Sequence, residues 1–151
     1  MRTVFLLFLC AAAGLAQHFV FAERQEGLKL KEIVHDPQCG LTPVSFSTVG
    51  TALSAPITAA QPFSSVEVRW LSTLPRKTTV IKLRTSADGK KWDKWAVVNE
   101  VPAPLPGRPD WLAAKPAAAV PNAKFLQYQL ELRRHPDFFS FCFRELELEP
   151  R

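Results

Sequence analysis

The 151-residue chain has the length of one domain, 47% hydrophobic residues and a formal net charge of +5. Its Lys and Arg residues are scattered among acids, and no basic stretch is interleaved with aromatic residues as in nucleic-acid-binding motifs. We therefore expect no nucleic-acid partner. The mild positive charge is compatible with wall polymers, acidic glycans or a membrane surface, and it selects none of them.

The N-terminus predicts a secretory signal peptide. A short positive start at Met1 to Thr3 precedes an uninterrupted apolar run at 4–16, which is too short for the roughly 20 residues that span a bilayer. Small residues offer cleavage positions after Ala16 and after Ala22, and we assign 1–22 to the signal. No stable membrane insertion is expected after cleavage. An uncleaved anchor that extends to Ala22 is the alternative.

Two cysteines remain once the predicted signal is removed. Cys39 and Cys142 lie near the two ends of the mature chain, whose net charge is +4 because Arg2 leaves with the signal. An even cysteine count in an oxidising compartment favours one disulfide, which closes a loop of about 100 residues and contributes about 4–5 kcal/mol in the chain-entropy model. Free thiols, or a zinc site with His35 and His135, are alternatives, although the spacings match no compact zinc pattern.

Along the mature chain, strand patterns dominate. Segment 23–34 is charged and ambiguous between a short helix and a strand. After it, apolar and polar residues alternate, which is typical of strands with one buried face. These strands are predicted at 65–70, 78–85, 124–133 and 138–149, with further candidates at 44–49 and 94–99.

The connections between these strands predict the fold class. Stretch 101–121 contains six prolines and predicts a long loop, in which Pro116 stops any helical turn. Short strands separated by turn signals, with no helical pattern between them, indicate an all-β antiparallel sandwich or barrel. We assign 23–38 to an N-terminal segment and 39–151 to the sandwich.

A turn is predicted at Asp88-Gly89, between Leu83 and Trp92. Asp-Gly supplies the positive φ that a tight turn needs, so 78–85 should pair with the segment that follows the turn. Trp92 and Trp95 are three residues apart, so a regular strand would place them on opposite faces, one in the core and one outward, unless a bulge lies between them.

The string Ser86-x-Asp88-Gly89-x-x-Trp92 resembles the hairpin of the discoidin, or coagulation-factor type C, family. The alternating run 123–134 is similar to that family's late strand, the end of the chain resembles its closing strand, and Cys39 and Cys142 stand where the family often bridges its ends. The hairpin also resembles galactose-binding-like domains attached to bacterial peptidoglycan amidases and glycoside hydrolases.

The resemblance implies an eight-stranded jelly roll that binds ligands through loops at one end. Some relatives carry a structural calcium, but no acid cluster in this sequence suggests one, and no cofactor is expected.

Trp111 is the leading candidate for ligand contact. It stands in the Pro-rich stretch with Arg108 and Asp110, and sugar rings stack on exposed indoles. Trp95 or Trp92 would join it if that stretch folds over the hairpin. In the alternative, Trp111 is a plug that packs against the sandwich.

We expect no enzyme. The mature chain has no nucleophile-elbow, zinc-protease or phosphate-loop motif, and a paired-carboxylate glycosidase is disfavoured. The leading interpretation is a secreted, periplasmic or cell-surface module without catalysis that binds a glycan or cell-wall polymer. The alternative is a structural or assembly protein that docks a protein partner through an apolar face formed by Phe139, Phe141 and Phe143.

Overall fold

The computed structural model describes residues 16–44, 49–73, 78–133 and 142–151. Together these ranges form twelve strands in one antiparallel sheet, which confirms the all-β sandwich prediction. There are more strands than the expected eight because short strands of two to four residues line the edges. The strands are β1 (Gln17–Val20), β2 (Lys29–Lys31), β3 (Ile33–Asp36), β4 (Gly40–Pro43), β5 (Val49–Leu53), β6 (Ile57–Ser72), β7 (Thr79–Ser86), β8 (Ala96–Val97), β9 (Ala103–Leu105), β10 (Arg108–Ala113), β11 (Ala117–Arg133) and β12 (Phe143–Pro150).

The sheet folds into two layers. The first layer has the order β2-β5-β11-β7-β8, and the second has the order β9-β10-β6-β12-β1, with β4 and β3 continuing from the start of β12. The first halves of β6 and β11 pair with each other, and their second halves belong to different layers. Register shifts on both sides of Ala123 bend the paired strands at this crossing, as bulges do.

The core lies between the layers. Alternate residues of the long strands point inward, namely Val66, Val68, Trp70, Ile81, Leu83, Leu126, Tyr128, Leu130, Leu132, Leu146 and Leu148. The ring of Tyr128 lies 5.1 Å from that of Phe19. Because β11 belongs to the first layer and β1 to the second, this contact joins the two layers. Burial raises the pKa of the Tyr128 hydroxyl above its usual range.

The sandwich begins earlier in the chain than the predicted boundary at 39. Strand β1 pairs with β12, and Phe21 is fully buried with its ring 5.6 Å from that of Phe143. Strand β2 lies in segment 23–34, whose sequence was ambiguous between a helix and a strand, and β3 begins in it. The first strand of the fold therefore lies within the range assigned to the signal peptide.

The Pro-rich stretch is not the predicted loop. It forms the β9–β10 hairpin, turns at Gly107 with φ +77°, and continues into β11. Proline lacks a backbone donor, which restricts it to strand edges and irregular pairings. Pro109 satisfies this rule because it lies where the β9–β10 register shifts between Arg108 and Leu112.

Cys39 and Cys142 form a disulfide with 5.7 Å between their Cα atoms, as predicted. It joins the β3–β4 turn to the start of β12. This bond removes both thiols from the alternative zinc site, and His135 lies outside the described residues. A disulfide is compatible with an extracellular location.

No helix in the described ranges is long and apolar enough to span a bilayer.

Candidate functional site

The Asp88-Gly89 turn is built by side chains on backbone groups. The Ser86 hydroxyl donates to the Lys91 carbonyl at 2.6 Å and accepts from the Gly89 amide at 2.9 Å. One Asp88 carboxylate oxygen accepts from the Lys91 and Lys90 amides, both at 2.8 Å, and these bonds lower the pKa of that carboxyl. Gly89 has φ +72°. The turn is wider than the two-residue hairpin expected, since β7 ends at Ser86 and β8 begins at Ala96.

Asp93 attaches the following segment to β7. Its carboxylate accepts from the Thr85 amide at 2.7 Å and from the Thr85 hydroxyl at 3.1 Å, and its own amide donates to the Thr85 carbonyl at 3.1 Å. The segment that carries both tryptophans is therefore fixed, although it is not a strand. The rule that alternate strand residues point to opposite faces consequently does not apply to Trp92 and Trp95.

Both indoles lie against one guanidinium, which corrects the expectation that they occupy opposite faces. The guanidinium carbon of Arg84 lies 4.9 Å from the ring centroid of Trp92 and 4.6 Å from that of Trp95. All three side chains are partly exposed. Such cation–π contacts contribute about 0.5–1 kcal/mol each at exposed sites and more when water is excluded.

Gln127 fixes the orientation of Arg84. Two guanidinium nitrogens of Arg84 donate to the Gln127 side-chain oxygen at 2.9 and 2.7 Å, and the Gln127 amide nitrogen donates to the Ser54 carbonyl at 2.6 Å. Arg84 and Gln127 are directly opposite in the β7–β11 register. We call Arg84, Trp92, Trp95 and Gln127 the Trp–Arg cluster. It lies on the outer face of the first layer.

Trp111 is in a different environment. It is 7% exposed, and the Arg108 guanidinium covers its ring with 3.5 Å to the centroid. Arg108 is held by the Glu147 carboxylate at 2.9 and 3.0 Å. The His18 ring lies 6.0 Å from the indole on a tilted plane. This arrangement matches the plug alternative and leaves Trp111 without an open face for a sugar, while the neighbouring Asp110 is exposed.

The five predicted contact residues do not form one site. Trp111 and Arg108 lie beside Glu147, whose side chain points outward from the second layer because its neighbours Leu146 and Leu148 point inward. Trp92 and Trp95 lie on the outer face of the first layer, on the other side of the sandwich. Sequence reasoning missed Arg84 and Gln127. The available signal was that both are polar residues in alternating runs, but the register that pairs them is a property of the fold.

The phenylalanine face of the alternative hypothesis is only partly described. Phe143 is fully buried and packs edge-on against Phe21. It is therefore part of the core and is not available to a partner. Phe139 and Phe141 lie outside the described residues.

No protein-family model, curated protein or solved structure matches this chain.

Proposed function

We propose that the chain is a binding module without catalysis of its own, that it binds a glycan of the cell envelope or surroundings, and that the Trp–Arg cluster makes the contact. The observation that carries this proposal is that two partly exposed indoles, Trp92 and Trp95, both lie against the guanidinium of Arg84. Aromatic rings provide flat apolar faces for the C–H faces of sugars, and nearby polar groups orient the sugar hydroxyls.

Preorganisation supports the same conclusion. Asp93 fixes the loop on β7, and Gln127 holds the guanidinium in one plane. A ligand that meets fixed side chains does not have to order them, so less of its binding energy is lost. The resemblance of the Ser86-x-Asp88-Gly89-x-x-Trp92 string to galactose-binding-like domains is in accord with this proposal. We also propose that the protein is secreted.

The test is retention of the purified, oxidised protein on insoluble peptidoglycan and on a panel of insoluble polysaccharides. We expect Trp92→Ala and Trp95→Ala each to weaken retention about twofold to tenfold, since an aromatic contact contributes roughly 0.5–1.5 kcal/mol. Trp111→Phe is the control, because that ring is already covered by Arg108. Its retention should equal that of the wild-type protein.

Loss of retention in Trp111→Phe alone would move the site to the second layer. Failure of every polymer to retain the wild-type protein would contradict the proposal. Circular dichroism of each variant shows whether the fold is intact before retention is compared.

A further inference from the structure

The charges around the Trp–Arg cluster are not balanced. Segment 84–95 contains four basic residues and two acids. Both acids are engaged within this segment, since Asp88 accepts from two backbone amides and Asp93 accepts from the Thr85 amide. The basic residues are Arg84, Lys90, Lys91 and Lys94, and none of them forms an ion pair with another described residue.

The outer face of the second layer provides the contrast. There, Arg69 is paired with Glu67 and Glu149, Arg108 with Glu147, and Arg151 with Glu67 and Glu149. On the outer face of the first layer Lys82 is paired as well, with Glu131, whereas the four basic residues of segment 84–95 form no ion pair with a described residue.

From this imbalance we infer that the ligand is an acidic polysaccharide whose carboxylates are bound by Arg84 and the loop lysines. This inference rests on the proposed function and specifies its ligand. The Nε and Nη2 atoms of Arg84 donate to Gln127, and the third nitrogen, Nη1, has no hydrogen bond to any described residue. The N–H groups of this third nitrogen can donate to carboxylate oxygens. Hydrogen bonds between charged groups are stronger than those between neutral groups.

The ring faces and the charge have separate tasks in this arrangement. The indoles of Trp92 and Trp95 stack with the sugar ring, which is common to neutral and acidic polymers. Arg84, Lys90 and Lys91 then discriminate in favour of the acidic form. Lys90 and Lys91 are exposed, and their backbone amides, not their side chains, maintain the turn. Their side-chain charges are therefore removable without loss of the turn.

The experiment compares retention on insoluble polygalacturonate with retention on the same polymer after its carboxyl groups are reduced to alcohols. The variants are Arg84→Gln, the double variant Lys90→Gln/Lys91→Gln, and a control double variant, Lys29→Gln/Lys31→Gln. The control removes the same charge from exposed residues of β2, which is separated from β7 by β5 and β11.

We expect retention on polygalacturonate that is lost on the reduced polymer and that falls when NaCl rises from about 0.05 M to about 0.5 M, because salt screens exposed charges. Lys90→Gln/Lys91→Gln should weaken retention about threefold, and Arg84→Gln about tenfold or more. The control should not differ from wild type. The loop double variant keeps the test decisive if Arg84→Gln fails to fold.

Each other outcome overturns the inference in a recognisable way. Equal retention on both polymers leaves the proposed function intact and refutes the acidic ligand. Equal weakening by both double variants indicates attraction by net charge and no site at the loop. Vesicles that contain phosphatidylserine are tested in parallel, and binding to these vesicles alone would show that the ligand is a lipid surface. Absence of retention on every polysaccharide, neutral or acidic, refutes the proposed function itself.

A second inference concerns processing, and it rests on strand β1 alone. The sequence offers cleavage after Ala16 or after Ala22. Cleavage after Ala22 would remove all of β1 together with Phe21, whose amide donates to the Arg144 carbonyl at 2.9 Å and whose ring is fully buried. Cleavage after Ala16 leaves β1 complete, because that strand begins at Gln17.

We propose that signal peptidase hydrolyses the Ala16–Gln17 peptide bond. The hydroxyl group of water adds to the carbonyl carbon of Ala16, which becomes a carboxylate, and a proton adds to the nitrogen of Gln17, which becomes an amine. Gly14 and Ala16 supply the small residues that the enzyme requires before the cleaved bond.

In the test, the full chain is expressed with its own residues 1–16 in a host that secretes proteins. The secreted product is analysed by N-terminal sequencing and by intact mass. The expected N-terminus is Gln17. Ala16→Leu should block this cleavage and Ala22→Leu should not. An N-terminus at Glu23, a retained leader, or cleavage that is blocked only by Ala22→Leu would refute the proposal.

Discussion

Phe21→Ala tests whether Phe21, the residue that follows β1, is an essential part of the core. Phe21 is fully buried, and its ring centroid lies 5.6 Å from that of Phe143, 6.3 Å from that of Tyr128 and 6.5 Å from that of Phe19. Truncation of a buried phenylalanine leaves a cavity and costs about 3–5 kcal/mol. Since the free energy of unfolding of small domains is about 5–15 kcal/mol, this change removes a large share of the stability.

The assay is urea unfolding followed by tryptophan fluorescence. With a slope of roughly 2 kcal/mol per molar urea, the unfolding midpoint of Phe21→Ala should fall by about 1.5–2.5 M. Val101→Ala is the control, because Val101 is 74% exposed and its truncation should change the free energy of unfolding by less than about 0.5 kcal/mol. A fall of less than about 0.5 M in the unfolding midpoint of Phe21→Ala would refute the reasoning, since Phe21 would then not support the core.

Three further predictions concern the disulfide and two ionisable groups. Cys39→Ser/Cys142→Ser should lower the free energy of unfolding by about 4.7 kcal/mol in the chain-entropy model, measured by urea unfolding, and a loss below about 1 kcal/mol would contradict it. Tyr128 is the chain's single tyrosine, so tyrosinate absorbance reports on it alone. Because burial raises its folded-state pKa, its contribution to stability is fully present below the unfolded-state pKa of about 10 and is lost progressively as pH rises from there through the folded-state pKa, so ionisation should accompany alkaline unfolding. Ionisation near pH 10 without unfolding would contradict this. The lowered pKa of Asp88 means that its contribution to the turn is present above the unfolded-state pKa and is lost as pH falls through the folded-state value. The NMR shifts of the two amides that donate to it should move only below the usual titration range of aspartate, and movement within that range would contradict the assignment.

Alternation in the sequence was sufficient to predict the central strands. Strands β6, β7, β11 and β12 have one apolar face and one polar face, and the period of two appears in each run. Trp70, which alternates with polar residues in the sequence in step with Val66 and Val68, lies in the core and is 2% exposed. The disulfide was predictable as well, because only two cysteines remain after the assigned signal.

The differences between the structure and these expectations have physical causes. Strand β1 lies inside the range assigned to the signal because that range was extended to the cleavage position at Ala22, and the pairing of β1 with β12 is not visible in the sequence. Strands β9 and β10 were missed because prolines argue against a strand unless the register is irregular, as it is at Pro109.

The candidate site was only partly predictable. Trp92 and Trp95 were named from their residue type, and the turn before them from Asp88-Gly89. The partner that brings them together, Arg84, belongs to the preceding strand, and its orientation depends on Gln127, which is 43 positions away in the sequence. Contacts of that separation are set by the register of β7 on β11. Trp111 appeared to be an exposed ring in a loop because the strand that carries it was not recognised.

The central claim is that the Trp–Arg cluster binds the glycan. The chain has four tryptophans, so a ¹H–¹⁵N spectrum contains four indole signals that can be assigned by single Trp→Phe variants. Oligosaccharides cut from whichever polysaccharide retains the protein are titrated into the labelled sample. The account predicts that the signals of Trp92 and Trp95 shift together while those of Trp70 and Trp111 stay in place. A shift confined to Trp111, or no shift at Trp92 and Trp95 while the ligand binds, would contradict it.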